Sequence, residues 1–238
     1  VSSCQPCCRR PYGEGQRVTM TSQKQNDPRI VIISGYSGCG KGTVISRLME
    51  KYGNYAFSVS MTTRDPRDNE IDGVHYHFVT NERFEKMISE AGFLEYAGYT
   101  DNYYGTPAAF VHENLAAGRD VLLDIEVQGA MQIREKIPEA ILIFVSTPTA
   151  AELENRLVSR GTETPARVSK RLKRAVEEST EIWRYDHFVI NDTVEEAADM
   201  INGIIREGAA APLPSREFME TFTKELIEIN ERREREGK

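Results

Sequence analysis

Short apolar runs alternate with helical segments along most of this chain. Four runs consist almost entirely of β-branched and other large apolar residues, which is typical of strands buried on both faces of a sheet. They are Ile30–Ile33, Val121–Leu123, Ile141–Val145 and Phe188–Ile190, and Ala56–Ser60 is a weaker run of the same kind. Because helical segments lie between these strands, the pattern predicts an α/β fold with a parallel sheet.

Several helices are marked by their first residues. Thr149–Glu152 has the Thr-x-x-Glu spacing of a capping box, and Thr164–Pro165 places proline at the first helical position after a capping residue. One more helix is predicted to begin at Asp192–Glu195, and another to run from Gly42 to Lys51. These signals place helices between the predicted strands, as an α/β fold requires.

The C-terminal part of the chain has the pattern of a separate amphipathic helix. After Gly208, a short Ala- and Pro-rich linker leads into a predicted helix from about Ser215 to Glu236. Its apolar residues recur at helical spacing and share one face. They are Phe218, Phe222, Leu226 and Ile229. We expect this face to dock on the core or on a second copy of the chain, which would make a homo-oligomer.

Three stretches fall outside this α/β pattern. Residues 61–111 are rich in Tyr, Gly, Asn and Arg and include the alternating piece Val74–Val79, while residues 156–180 are dense in Arg and Glu. We interpret both as insertions at the edge of the sheet. Residues 1–28 are polar and lack periodicity, which predicts a disordered leader.

Composition, charge and cysteine use exclude several classes of protein. The 238 residues, 39% of them hydrophobic, suit one large domain or a core with inserted subdomains. The net charge of −7 argues against a nucleic-acid binder, and without a long apolar run we expect no membrane span. Three of the four cysteines (Cys4, Cys7 and Cys8) crowd the N-terminus, which resembles half of a zinc site more than a disulfide framework. We favour an incidental tail and a cytoplasmic location, because no signal peptide is readable.

A glycine-rich loop follows the first strand and leads into a helix. It consists of Gly35, Tyr36, Ser37, Gly38, Cys39, Gly40, Lys41, Gly42 and Thr43. In such a loop the backbone N–H groups and the helix N-terminus bind phosphates, and the lysine reaches the β- and γ-phosphates of a nucleotide. Gly42 stands where Ser or Thr is usual, so we expect Thr43 to contact the α-phosphate rather than to ligate Mg²⁺. ATP phosphates would shield the Cys39 thiol, although a small residue that merely fits is the favoured interpretation.

The residues downstream of this loop are suited to a second, smaller anion. Arg64 and Arg67 lie three apart in an extended loop, where two planar guanidinium groups can bind one phosphate. Tyr76 and Tyr104 offer further donors. The surrounding motifs are Ser60–Arg67, Glu70, Gly73, Phe93–Glu95, Asn102–Thr106 and Asp124–Gly129.

With these motifs in order, the chain from about Arg29 to Arg206 resembles guanylate kinase, the enzyme family that moves the γ-phosphoryl group of ATP onto GMP. The resemblance implies a P-loop NTPase-type parallel sheet flanked by helices, an inserted mixed α+β GMP-binding subdomain and a helical lid. It divides the chain into the leader (1–28), a core (29–57, 112–155 and 184–207), the GMP-binding subdomain (58–111), the lid (156–183) and a linker with the C-terminal helix (208–238).

The resemblance also implies roles for the acceptor-site residues. The residues that match those holding the GMP phosphate are Arg64, Arg67, Tyr76 and Tyr104. The residues that match those reading guanine are Ser60, Glu95, Thr106 and Glu126, and the last is Asp in some relatives. The chemistry agrees independently, because a carboxylate such as Glu95 accepts from both the N1–H and the N2–H₂ of guanine, whereas adenine presents an acceptor at N1.

The basic lid residues are implied to act on the donor side. Arg156, Arg160 and Arg171 match residues that close over ATP, and Asn191 matches an adenine contact, although it could equally be a turn residue. Arg167 and Arg174 share a helix face with Arg171, and for these two we favour a solvated face paired with glutamates. Asp124 ends a strand, where it could act on Mg²⁺ through water, act on an acceptor-site residue, or cap the next segment.

The expected reaction is in-line transfer from ATP, with Mg²⁺ as cofactor, to GMP and also dGMP, without a covalent intermediate. The catalytic residues would be Lys41, Arg64, Arg160 and Arg171. Two alternatives stay open: a non-catalytic scaffold of the same fold, and a kinase of another phosphorylated acceptor. The intact phosphate loop disfavours the first, and Ser60, Glu95 and Thr106 disfavour the second. His75 and His77 show the spacing of a metal pair but lack a third ligand, so we favour a plain exposed pair.

Overall fold

Two β-sheets, one parallel and one mixed, organise the part of the chain that this computed structural model describes, namely residues 27–99, 101–159 and 164–237. The strands are β1 (Ile30–Gly35), β2 (Tyr55–Ser58), β3 (Met61–Thr62), β4 (His77–Phe78), β5 (Phe93–Tyr99), β6 (Asn102–Pro107), β7 (Asp120–Asp124), β8 (Ile141–Ser146) and β9 (His187–Ile190). The helices are α1 (Lys41–Lys51), α2 (Asn81–Ser89), α3 (Ala108–Ala116), α4 (Val127–Lys136), α5 (Ala150–Ser159), α6 (Pro165–Ser179), α7 (Val194–Glu207) and α8 (Arg216–Arg235), with a 3₁₀ turn at Ile182–Arg184.

The large sheet contains all five predicted strands. Its order is β2-β7-β1-β8-β9, and every neighbouring pair is parallel. The strand β1 at its centre is buried from Ile30 to Ser34 because helices cover both faces. The predicted α/β fold with a parallel sheet is therefore confirmed, and the loop after β1 leaves the sheet at the carboxyl ends of the strands, where α/β proteins place their ligands.

The small sheet lies within the first predicted insertion. Its order is β4-β3-β6-β5, with β3 and β4 parallel and the other pairs antiparallel. It packs on α2 through Phe84, whose ring stacks on Phe93 at 4.4 Å and on Tyr103 at 5.3 Å between centroids. This cluster gives the insertion packing of its own. The predicted boundary at residue 111 stays a prediction, because α3 runs across it.

The alternating stretch Val74–Val79 was expected to be one extended piece, and this is wrong for its first two residues, while Tyr76 forms an isolated β-bridge with Asp72. Only His77–Phe78 forms a strand. The chain turns before it, since Gly73 has a φ of +76° and the N–H of Val74 donates to the carbonyl of Ile71 at 3.2 Å. The alternation of His75 and His77 on one strand face therefore does not exist.

The predicted helix starts hold, with one shift. Thr149 accepts from the N–H of Glu152 at 3.1 Å, and Thr164 caps α6 with Pro165 at its first position. The prediction that Asp192 opens a helix is wrong by one residue. Thr193 caps α7 instead, because its hydroxyl accepts from the N–H of Glu196 at 3.3 Å and donates to the carboxylate of the same residue at 2.8 Å.

The C-terminal helix α8 docks on its own chain. Its apolar face is buried against α5, α6 and the core, with Phe222 stacked on Tyr36 at 5.3 Å and Phe218 edge-on to Phe188 at 6.1 Å. The first of the two expected docking modes is thus the one seen. A homo-oligomer through α8 stays a prediction, and it would need the charged face of that helix rather than the Phe222 stripe.

Some predictions fall outside the described residues. They concern the leader up to residue 26, with Cys4, Cys7 and Cys8, and the lid residue Arg160. Across residues 27–99, 101–159 and 164–237, none of the helices combines the length and the apolar character that a membrane crossing needs.

Candidate functional site

The glycine-rich loop has the conformation expected of a phosphate loop. It connects β1 to α1, and Gly40 at the start of α1 has a φ of +89°, in the left-handed region that favours glycine. Gly42 and Thr43 lie in the exposed first turn of α1. The backbone N–H groups of this turn have no partner within the helix and carry its positive dipole end, so the loop can bind an anion.

Two side chains of this loop point into the core instead of toward a ligand. Tyr36 is 1% exposed, and its hydroxyl lies 2.7 Å from the Ser179 hydroxyl. Cys39 is fully buried, and burial raises the pKa of its thiol to about 11. The predicted contacts of Tyr36 and Cys39 with ATP can therefore involve only their backbone. The favoured interpretation of Cys39, a small residue that fits the loop, agrees with this placement.

Lys41 is held by the acid at the end of the neighbouring strand. Its Nζ donates to Oδ1 of Asp124, the last residue of β7. Burial disfavours the charge on Lys41, but Asp124 outweighs burial and the pKa of Lys41 is raised, so the ammonium group stays charged. The next helix, α4, is preceded by Glu126, which rules out the capping role for Asp124. Among the described residues, no group of three or more His, Cys, Asp or Glu could hold a metal ion.

The predicted acceptor-phosphate residues lie together in the small sheet and its loops. Arg64 donates through both terminal nitrogens to Glu70, at 2.9 Å each, and its guanidinium carbon lies 5.5 Å from the centre of the Tyr76 ring. Tyr76 in turn packs edge-on against Tyr104 at 6.0 Å. Arg67 is exposed, and its backbone N–H also donates to Glu70 at 2.8 Å.

Sequence reasoning gave Glu70 no role, although it binds the guanidinium of Arg64 and the backbone N–H of Arg67, two of the four predicted phosphate-binding residues. Hydrogen bonds from Arg64 are the main reason that the pKa of Glu70 is lowered. The available signal was the position of a carboxylate three residues after Arg67 in the same loop. Glu70 fixes the orientation of the Arg64 guanidinium and takes its paired terminal N–H donors, so a phosphate would be met by the N–H donors that remain.

The predicted guanine-reading carboxylate is buried. Glu95 is 5% exposed and accepts from the Thr106 hydroxyl at 2.6 Å, since the two residues lie opposite each other on β5 and β6. Burial raises the pKa of Glu95. A Cβ at Gly129 would lie 2.5 Å from Oε2 of Glu95, so only glycine leaves room for the carboxylate. Ser60 is half-buried and directly precedes β3, and its carbonyl accepts from the N–H of His77 at 2.9 Å.

Two lid arginines and Asn191 contact the phosphate loop directly. Arg156 donates to the carbonyl of Cys39 at 3.1 Å, and Arg171 to the hydroxyl of Ser37 at 2.5 Å. Asn191 is 1% exposed, and its amide nitrogen donates to the same carbonyl of Cys39 at 2.7 Å. In this arrangement Asn191 holds the loop, so its predicted contact with adenine stays a prediction.

The face of α6 that was expected to be solvated is only partly so. Arg167 is exposed, as favoured, whereas Arg174 is half-buried, so its favoured pairing with a glutamate is seen but its favoured solvation is not. Arg174 donates to Glu178 at 3.0 Å and to Glu126 at 2.6 Å. Glu178 is largely buried, and this burial raises its pKa to about 7. Sequence reasoning missed the contact with Glu126 because 48 residues separate the partners.

Comparisons with known proteins agree on one family. The family model described as "Guanylate kinase" matches residues 27–208. The chain is 49% identical over 181 residues to the guanylate kinase of Latilactobacillus sakei, covering 76% of this chain and 89% of that one. It is 50% identical over 176 residues to the guanylate kinase of Clostridioides difficile, covering 74% and 86%. The crystal structure of guanylate kinase from Anaplasma phagocytophilum superposes with a TM-score of 0.64 at 32% identity, covering 77% of this chain and 87% of that one.

Proposed function

Because this chain belongs to the guanylate kinase family and is therefore an ATP-dependent kinase of GMP, we propose that its phosphate loop holds ATP while its small sheet holds GMP. The γ-phosphoryl group then passes directly from one nucleotide to the other. GMP and dGMP are the proposed acceptors, and the products are ADP with GDP or dGDP.

The buried carboxylate of Glu95 would determine the selectivity for the acceptor base. The Thr106 hydroxyl donates a hydrogen bond to one oxygen of this carboxylate, and the carboxylate can still accept from the adjacent N–H groups of guanine. Adenine would leave this buried acceptor unpaired and would place its own N1 acceptor against it, at a cost that rejects the wrong base. The raised pKa of Glu95 agrees with this role, since GMP binding would supply the donors that the site lacks.

On the donor side, the loop N–H groups and Lys41 would bind the ATP phosphates. Lys41 is already fixed by Asp124, so its charge is oriented before nucleotide arrives. Arg156 and Arg171 contact the loop and would add positive charge around the transferring group, where charge spreads over the equatorial oxygens. Arg160 is proposed to join them.

On the acceptor side, Arg64, Arg67, Tyr76 and Tyr104 would hold the GMP phosphate. The Arg64 guanidinium is oriented by Glu70 and lies against the Tyr76 ring, so an incoming phosphate would meet a fixed cation with its remaining N–H donors. The GMP phosphate oxygen is itself the nucleophile, and the residues of this chain position and stabilise rather than bond to the phosphoryl group.

When bound with ATP, Mg²⁺ would neutralise part of the negative charge of the phosphates. Mg²⁺ takes oxygen ligands, keeps several of its waters and needs only one or two carboxylates from the protein. Asp124 can supply such a carboxylate, because it contacts Lys41 of the phosphate loop. We propose that Asp124 holds the ion through water. A cytoplasmic location is part of the same proposal.

A coupled assay of ADP release tests the proposal. The assay uses ATP, Mg²⁺ and each of GMP, dGMP, AMP, CMP and UMP, with wild type and Lys41→Ala. We expect turnover with the two guanine nucleotides and a loss of about 100-fold or more in Lys41→Ala, because the loop loses its charged contact with the transferring group. Robust turnover with another acceptor would overturn the guanine site. Near-normal turnover in Lys41→Ala would overturn the role of the loop.

A further inference from the structure

Arg174 connects helix α6 to the predicted guanine-binding side of the site. Its Nη2 donates to Oε2 of Glu126 at 2.6 Å, and its Nε donates to Oε1 of Glu178 at 3.0 Å. Glu178 is only 12% exposed and lies one helical turn further along α6. The buried glutamate therefore fixes the guanidinium plane from the inside, while the outer nitrogen reaches across to Glu126.

Helix α6 is a firm base for this contact. Three residues before Arg174, Arg171 donates to Ser37 in the phosphate loop, and at the end of the helix the Ser179 hydroxyl meets the Tyr36 hydroxyl at 2.7 Å. Val168 and Leu172 bury the opposite face of α6 in the core. An arginine on such a helix loses little freedom when it holds a partner.

Glu126, by contrast, is an exposed carboxylate that its own helix does not hold. It precedes α4 without making a capping hydrogen bond through its side chain, and that side chain is 58% exposed. A glutamate in this setting has several rotamers to lose when it binds a ligand. It nevertheless lies close enough to Glu95 for its charge to raise the pKa of that buried carboxylate.

We propose that Arg174 is a positioning residue for GMP, which holds Glu126 by Oε2 and so presents Oε1 of the same carboxylate to the guanine. This rests on the proposed function and adds a residue that acts through another one. Without Arg174, Glu126 would have to be ordered by GMP itself, and affinity for GMP would fall while ATP binding and the phosphoryl-transfer step would not change.

The first test compares Arg174→Gln and Arg174→Lys with wild type. We expect Arg174→Gln to raise KM for GMP about three- to fivefold, the scale of a partly exposed ion pair, with kcat and KM for ATP within about twofold of wild type. Lysine keeps the charge but not the fork, so it should restore part of the loss. Arg184→Gln is the matched control. Like Arg174, Arg184 pairs with a glutamate, since it lies 2.9 Å from Glu181, but its side chain is 51% exposed and it has no role in the proposed site.

The second test asks whether Arg174 works through Glu126. In a Glu126→Gln background, Arg174→Gln should not raise KM for GMP any further. Calorimetric Kd values for GMP should likewise show that the effects of the two single substitutions do not add in the double variant. An equal effect in both backgrounds, a parallel rise in KM for ATP, or no effect at all would overturn the inference. A wild type that neither binds nor phosphorylates GMP would overturn the proposed function as well, whereas an active wild type with an unaffected Arg174→Gln overturns this inference alone.

Discussion

At the scale of single residues, the charged side chains of the site are held by charged partners before any nucleotide is present. Asp124 holds Lys41, and Glu70 holds Arg64 through two parallel hydrogen bonds. Such pairs orient the cations and keep them charged in a partly buried site. These side chains are therefore ordered on folding, and nucleotide binding at the proposed site would benefit from the arrangement.

Glu178 differs from these residues, because its hydrogen bond from Arg174 does not offset the effect of burial on its pKa. Burial raises its pKa from 4.5 to about 7, while Arg174 lowers it and the charge of Glu126 raises it. Its Oε2 is buried without a hydrogen-bond partner among the described residues. At neutral pH, the folded protein therefore carries an acid that would ionise more easily in the unfolded chain.

This predicts a pH-dependent loss of stability that Glu178→Gln should remove. Below pH 4.5 the carboxyl is protonated in both states, and between pH 4.5 and 7 only the unfolded chain ionises freely, so stability falls as pH rises. We expect the Tm of Glu178→Gln to exceed that of wild type at pH 8, with a difference that shrinks toward pH 5. The measurement is thermal unfolding from pH 5 to 8, and a difference that grew toward acid would contradict the sign.

At the scale of elements, helix α8 supports the phosphate loop from behind. Phe222 lies between Tyr36 of the loop and Phe218 of its own helix. At the far end of α8, Arg233 pairs with Glu154 of α5 at 3.0 Å, and Lys173 of α6 pairs with Glu234 at 2.5 Å. The helix lies beyond residues 27–208 that match the family model, yet it braces elements of the site.

Replacing Phe222 by alanine tests this brace. We expect Phe222→Ala to lower the free energy of unfolding by about 3–5 kcal/mol, because a buried ring is lost and the surroundings relax only in part. Phe110→Ala on α3 is the matched control, since its ring is already exposed and should cost much less. Urea unfolding measures both variants, and equal losses would show that α8 contributes no more than a surface contact.

At the scale of the whole molecule, the site forms where the parallel sheet, the small sheet and α6 meet. The five buried strands and the phosphate loop could be predicted, because β-branched runs and a glycine loop at a strand end are local signals. The resemblance placed Glu95 and Thr106, and the pairing of β5 with β6 explains why they act together.

Other features of the site depend on contacts that no local pattern contains. The sequence predicted that Tyr36 contacts ATP, but its side chain packs in the core against Ser179 and Phe222, which are both distant in sequence. Arg174 looked solvated because its partner Glu126 lies on another element. Docking of α8 could be predicted only as one of two modes, since an amphipathic face shows that something covers it but not what.

The protein is a kinase of GMP, and we propose that its buried Glu95 selects guanine. The most direct measurement is kcat/KM for GMP and for AMP in wild type and in Glu95→Gln, with Tm and KM for ATP as checks on folding and on the donor site. We predict that wild type prefers GMP by about 10⁴-fold or more. Glu95→Gln should lose about 10- to 100-fold in kcat/KM for GMP, since its amide presents a donor to the guanine donors. Comparable rates with AMP in wild type, or an unchanged preference in Glu95→Gln, would contradict the account.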